Sequence, residues 1–267
     1  MILLKTKKRL KKIIRSSSKS SLIAYFVIRG LIILCMVREI MNGNIEHAFL
    51  CLLSLSLLLV PAFLEKTFKI ELPSVLEVSI FLFIFSAEIL GEINNFYMIF
   101  NNFDSMLHTI NGFLAASVGF SLVYLLNENS ASFNLSPLFV TLVAFCFSMT
   151  IGVVWEFFEY GMDNVFKLDM QKDEIVDDIY TVKLDPNNSN TVISVNDISR
   201  TQLLDKDNKL LVEVDGYLDI GLRDTMKDLL VNFIGATIYS LFGFLYLTNK
   251  SKYNVAEKFM VKKQVNV

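Results

Sequence analysis

Polar residues stand at helical spacing inside four otherwise apolar segments of this 267-residue chain. Glu88 and Glu92 are four apart, as are Asp104 and His108, which are followed by Asn111 and Gly112. Glu156 and Glu159 are three apart, and Asp224, Asp228 and Asn232 are spaced by four. Spacings of three and four put side chains on one helix face. Carboxylates crowded in one volume raise one another's proton affinity or demand a cation. Carboxylate with imidazole suits Zn, Mn or Fe, and oxygen donors alone suit Mg or Ca. Nearby cationic side chains or a divalent metal could supply the neutralising charge, and the candidate metal ligands are Asp104, His108, Glu156, Glu159, Asp224 and Asp228. His108, Glu156 and Asp228 are the candidate catalytic groups. Glu88, Glu92, Asn232 and Arg38 complete the polar surroundings, with His47, Arg223 and Lys227 as further cations. Ordinary roles compete: Asp104 and Asp224 stand where helix N-caps stand, and acids near a helix end also serve as solvated surface.

Such faces need helices to carry them. The chain is 53% hydrophobic, with a mean hydropathy of +0.49. A membrane-crossing helix takes about 20 mostly apolar residues, and six segments qualify: 22–41, 46–64, 72–92, 104–126, 136–160 and 224–247. The fold class expected is an all-α polytopic membrane protein, a six-helix transmembrane bundle with a small β-rich extracytoplasmic insert. Lys and Arg orient it, because they concentrate on the cytoplasmic side. Residues 1–21 hold eight of them and no acid. That makes 1–21 a basic cytoplasmic tail, and the first span an uncleaved signal anchor, since no small-x-small site follows it. Spans one to five fill 22–160, the sixth is 224–247, and 248–267 is a second basic cytoplasmic tail. Localisation follows as the plasma membrane of a bacterium with both termini cytoplasmic. On this orientation all four polar faces fall at the extracytoplasmic ends of their helices, where seven carboxylates would share a partly wet cavity.

Residues 161–223 carry thirteen acids against seven bases. DDIYTVKL, NTVISV and KLLVEV are short and β-branched, while DPNNSN and DKDNK have turn chemistry, which predicts the β-rich insert. INNFYMIFNNF, between the third and fourth spans, suits an aromatic belt or a short interfacial helix. Cys35, Cys51 and Cys146 all lie in apolar runs without zinc spacing and are expected to pack as small apolar residues. Arg29 and Glu77, at matched depth in their spans, are expected to form an ion pair. No nucleic-acid, phosphate-loop or serine-hydrolase motif occurs, so nucleic acid is excluded as a partner and membrane lipid is the expected one.

FDSMLHTINGF, WEFFEY and DTMKDLLVNFIGA resemble the FD-x3-H-x3-GF, E-x2-E and DT-x2-D-x6-GA elements of the YjdF-type inner-membrane protein family. The likeness covers roughly 72–247, with 165–222 as an addition. More distantly the pattern resembles VanZ-like membrane proteins, in which Gln usually stands where Glu159 does here. The resemblance implies a shared site at Asp104, His108, Glu156, Glu159, Asp224 and Asp228, and no activity. Three functions fit the residues. A metal-assisted enzyme acting on a cell-envelope lipid or lipid-linked substrate would use His108 or a metal-bound water with Glu156 or Asp228 as base. A cation or proton transporter would use the acids as relays. A non-catalytic envelope binding or accessory protein would hold a ligand there. Reporter fusions test the orientation: a fusion at residue 190 should report the extracytoplasmic side and a C-terminal fusion the cytoplasm. An extracytoplasmic C-terminus would dissolve the shared polar face.

Overall fold

In the computed structural model, residues 19–128 and 134–264 are described; most of the basic segment 1–21 lies outside them. Six stretches are long and apolar enough to cross a membrane: Lys19–Met41, Ile45–Phe68, Ser74–Ile93, Phe103–Glu128, Pro137–Phe166 and Leu222–Thr248. Each expected span is present, and the fifth runs six residues past its expected end at Tyr160, to Phe166. The chain divides into two compact units, one of 1–152 with 229–267 and one of 153–228. The fifth and sixth spans pass unbroken from one unit to the other.

The first unit begins with α1 (Lys19–Met41) and a tight turn into α2 (Ile45–Leu57). The second span breaks there and resumes as α3 (Val60–Phe68). Pro61 explains the break, because it lacks an amide hydrogen and its ring clashes with the carbonyl four residues back. A short strand, β1 (Ile70–Glu71), leads to Pro73, which opens α4 (Ser74–Ile84) in extended conformation. The third span then widens into a π-helix, Phe85–Ile93, followed by the short α5 (Phe96–Ile99). The aromatic loop thus contains a short helix, tied by edge-to-face contacts of Phe96 with Phe100 and of Tyr97 with Phe103. The fourth span is α6 (Phe103–Glu128), the fifth α7 (Pro137–Phe166) and the sixth α8 (Leu222–Thr248).

Glycines set how closely α6, α7 and α8 pack. A Cβ on Gly112 would collide with the Asn232 carbonyl, and one on Gly235 with the Thr109 carbonyl. A Cβ on Gly152 would lie 2.8 Å from the Asn232 amide nitrogen. Small residues of this kind let helix backbones approach where lipid offers no hydrophobic drive between helices. Below the glycines lies an apolar core of Ala116, Phe120, Val140, Ala144, Ala236 and Tyr239.

After α8 the chain turns back into this core. A 3-10 turn, Ala256–Phe259, packs Phe259 against Phe113, with ring centroids 5.0 Å apart, and Tyr239 donates to the Ala256 carbonyl at 3.2 Å. The Val261 amide reaches the buried Ser121 hydroxyl at 2.9 Å. Strand β8 (Lys262–Lys263) then pairs antiparallel with β1. Residues 256–263, expected only as part of a basic tail, are therefore a packed element. Lys250 donates to the Tyr124 hydroxyl at 2.7 Å beside Glu128. The starts of α1 and α4, the end of α6 and the tail thus share one end of this unit.

The ion pair expected between Arg29 and Glu77 does not form. Arg29 Nη1 donates instead to the Tyr25 hydroxyl at 2.8 Å, one turn back on its own helix, and the Ser21 hydroxyl serves Glu77. The reason is that α1 starts three residues earlier than the apolar run, which brings the buried Ser21 into reach.

The second unit contains the C-terminal turns of α7, the N-terminal turns of α8 and the insert. Its strands are β2 (Glu174–Val176), β3 (Ile179–Thr181), β4 (Ile193–Val195), β5 (Thr201–Leu204), β6 (Leu210–Val214) and β7 (Tyr217–Asp219). They form three antiparallel pairs: β2 with β7, β3 with β4, and β5 with β6. DPNNSN and DKDNK are the turns of the second and third pairs. In the first of these turns Asp185 accepts from the Asn187 amide, the Ser189 amide and hydroxyl, and the Thr191 amide. The Asn187 amide, then the Ser189 hydroxyl, hold its carboxyl below the usual range.

The glycine contacts yield a first test of the packing. Gly235→Ala should lower stability in detergent by about 1–3 kcal/mol, the usual cost of overpacking. Gly30→Ala, whose Cβ meets nothing within 4 Å, should be neutral or slightly stabilising. Thermal unfolding of the two variants decides it, and equal effects would refute the close-approach account.

Candidate functional site

The acids lie on the buried stripes of their helices. On α8 the stripe runs Asp224, Asp228, Asn232, Ala236, Tyr239, with Asp228 only 1% exposed and Asn232 fully buried. On α7 it runs Ala144, Ser148, Gly152, Glu156, Glu159. On α6 it includes His108, Gly112, Ala116 and Phe120, with Asp104 half-buried one turn before His108. In each case the face that makes the apolar core turns ionisable towards the end of the helix. A charge at such a position costs about 2.5–3.5 kcal/mol on insertion scales, and more by other measures, so the pattern is not a by-product of solvation.

The first unit holds the imidazole and a polar floor beneath it. His108 Nε2 lies 3.6 Å from Asp104 Oδ1. Asp104 sits in the first turn of α6 and faces His108, rather than capping the helix as its position suggested. One turn further in, Asn111 donates to Asn232 Oδ1 at 3.3 Å, and the Ser148 hydroxyl donates to the Gly112 carbonyl at 2.7 Å. The Asn232 amide also meets Met149 Sδ at 3.5 Å. Asn232, placed by sequence among the surroundings of the site, is therefore the residue that joins α6, α7 and α8.

The second unit holds four carboxylates, Glu156, Glu159, Asp224 and Asp228, all buried. Carboxylate oxygens of Glu156 and Glu159 approach within 4.8 Å of one another. Glu159 accepts from the Trp155 indole at 2.8 Å, a one-turn contact that fixes its orientation. Asp224 lies in the first turn of α8, where carboxylates are favoured by the helix dipole, and accepts from the Lys172 amide at 2.9 Å.

That amide belongs to a strap. Asp163, at the end of α7, accepts from the Met170 amide at 2.6 Å and the Gln171 amide at 2.9 Å. The Gln171 side chain donates to the Thr225 hydroxyl at 2.5 Å, and Gly221, with φ +92°, lets the α8 entry pass against Gln171. Residues 170–172 thus lace the end of α7 to the start of α8. Asp163 was missed from sequence; its signal was the Glu159-to-Asp163 spacing of four. Beside the strap, Asp173 is pushed above the usual carboxylate range, mainly by burial and then by Asp169, Asp163 and Asp219.

Two groups of the expected constellation are placed elsewhere. Arg38 Nε donates to Glu39 at 2.6 Å, and His47 Nδ1 lies 3.0 Å from the other Glu39 oxygen, which also accepts from Asn44 at 2.9 Å. Both cations therefore serve Glu39, a buried acid at the turn between the first two spans that sequence reasoning passed over. Glu88 and Glu92 sit half-buried on the π-helix, and among the described residues neither forms an ion pair or hydrogen bond. Arg223 is exposed, with its amide on Asp219, and Lys227 is half-buried.

The family comparison fits this picture of apolar helices with polar ends. The family model described as "Predicted membrane protein (DUF2238)" matches residues 23–249. The chain belongs to that family. The match agrees with the YjdF-type membrane family that the helix motifs resemble. No curated protein and no solved structure matches the chain.

The strap is testable without knowing the function. Asp163→Ala removes a charged acceptor from two backbone amides, bonds worth about 1.5–3 kcal/mol each. Hydrogen exchange at Met170 and Gln171 should accelerate, and limited proteolysis should cut between 167 and 173. Unchanged protection there would mean that the carboxylate does not hold the strap.

Proposed function

We propose that this membrane protein binds one divalent cation through Glu156, Glu159, Asp224, Asp228, Asp104 and His108, and uses it to act on a lipid or lipid-linked substrate at the membrane face. One observation carries the reading: helix stripes that are core elsewhere become carboxylate and imidazole at one end. Four buried carboxylates repel one another, and a divalent cation relieves that repulsion. The donor chemistry, carboxylate with one imidazole, suits Zn, Mn or Fe.

The segments FDSMLHTINGF, WEFFEY and DTMKDLLVNFIGA, which carry the family resemblance, supply all six residues, and this supports assigning His108 to the same ion as the acids. When bound, such a cation polarises a phosphoryl or carbonyl oxygen and lowers the pKa of a coordinated water. The remaining work falls to the chain: Asp104 orients the His108 ring, Trp155 and the strap orient Glu159 and Asp224, and an acid of the set accepts a proton. The Lys and Arg distribution supports an extracytoplasmic position for this end, and an envelope lipid is the substrate class that such a position meets.

Metal analysis of the purified full-length protein tests the reading. It should carry about one equivalent of a divalent transition metal, and chelation should lower its melting temperature. His108→Ala and Glu156→Gln should each lose most of the metal while keeping the helical circular-dichroism signal. A protein that holds no metal, and whose melting is indifferent to Zn, Mn, Fe, Mg and Ca, would overturn it. Cation flux in proteoliposomes without turnover of any lipid would replace it with transport.

A further inference from the structure

Two of the three cysteines stand at matched depth in the first helical hairpin. Cys35 lies six residues before the end of α1 at Met41, and Cys51 lies six residues after the start of α2 at Ile45. In an antiparallel hairpin with a short turn, equal offsets put two residues at equal depth, here about 9 Å from the turn at 1.5 Å per residue. Cys35 packs against the buried cluster that contains Cys51, and both are free cysteines. Cys51 is fully buried, while Cys35 is half-exposed. Arg38 links the pair to the turn: its Nη2 lies 3.7 Å from Cys35 Sγ, and its Nε holds Glu39. A buried cysteine is usually a small apolar filler. Filling alone calls for neither a second thiol on the facing helix at the same depth nor a guanidinium against the outer sulfur.

We propose that Cys35 and Cys51 are a reversible dithiol–disulfide pair that joins the first two spans. The oxidant is a small disulfide, RSSR. Cys35, the accessible thiol, loses its proton and attacks one sulfur of RSSR. The RS–SR bond breaks, a Cys35–SR bond forms, and one RSH leaves with that proton. Cys51 then attacks the Cys35 sulfur and displaces the second RSH, which takes the Cys51 proton. Two thiols and one RSSR become one Cys35–Cys51 disulfide and two RSH. The reverse sequence, driven by excess RSH, reopens it. A disulfide needs close approach of the two backbones, which equal depth on two packed neighbouring helices favours. Closure would tie α1 to α2 just beneath the Glu39 turn and take Cys35 Sγ from Arg38. This inference is independent of the metal reading, since no cysteine belongs to that site.

The full-length protein, purified under reduction, is treated with glutathione disulfide, acid-quenched, unfolded and tagged with a maleimide polymer. The reduced protein should take three tags and the oxidised protein one, with dithiothreitol restoring three. Cys146→Ser should fall from two tags to none, whereas Cys35→Ser and Cys51→Ser should form no internal bridge. Intact mass of the wild type should show the loss of two hydrogens, and peptide mapping should join the peptides of Cys35 and Cys51, so the test does not depend on any variant folding. Three tags after oxidation, a protein carrying glutathione without the internal bridge, or a bridge between two copies would each overturn the proposal.

Discussion

The approach of the Gly112 and Asn232 backbones governs most of what lies around it. Lipid tails are as apolar as the side chains of a membrane helix, so helices hold together there by close packing and by polar contacts. Gly112, Gly152 and Gly235 remove the side chains that would keep α6, α7 and α8 apart. Asn232 then bonds across the gap to Asn111 and meets Met149, while Ser148 reaches the Gly112 carbonyl. These contacts fix which faces of the helices are buried. The acids inherit their burial from that choice, because Glu156, Asp228 and His108 occupy the same stripes one turn away.

Local contacts then hold the individual carboxylates. Trp155 orients Glu159 from one turn away, Lys172 bonds Asp224 through its backbone, and Asp163 binds the strap that contains Lys172. Backbone donors and a packed indole lose little freedom on ordering compared with long flexible side chains. At the other hairpin the same economy is visible. Glu39 gathers Arg38, Asn44 and His47, all from within eight residues of itself, and so stabilises a turn without drawing on the acids of the other helices.

Much of this was legible in the sequence, for identifiable reasons. The six spans follow from the length of an apolar run, a property of consecutive residues. The polar faces follow from spacing within single helices. The DPNNSN and DKDNK turns follow from local turn chemistry; DPNNSN joins two expected strands, whereas DKDNK joins the expected KLLVEV strand to β5, which lies outside the expected segments. What the sequence hid depends on partners far along the chain or on competition between partners. Strands β2 and β7 pair across the whole insert, and neither is apolar or alternating enough to stand out alone. Arg29 had two possible partners and took Tyr25, the one on its own helix. Arg38 was legible as a cation near the site, yet the nearer Glu39 claims it. The π-helix that carries Glu88 and Glu92 has no marker in its composition.

The tail that folds back after the sixth span bears on how the protein is made. Its seat on Phe113, Ser121 and Tyr239 lies among helices that precede it in the chain. During synthesis α6, which carries Phe113 and Ser121, emerges well before residues 256–263. Until then the Val261 amide has not reached Ser121, the β1 edge lacks β8, and α6 lacks the packing of Phe259 and Met260. This packing is therefore a late step of folding, performed by a segment that follows the sixth apolar helix and carries its own lysines.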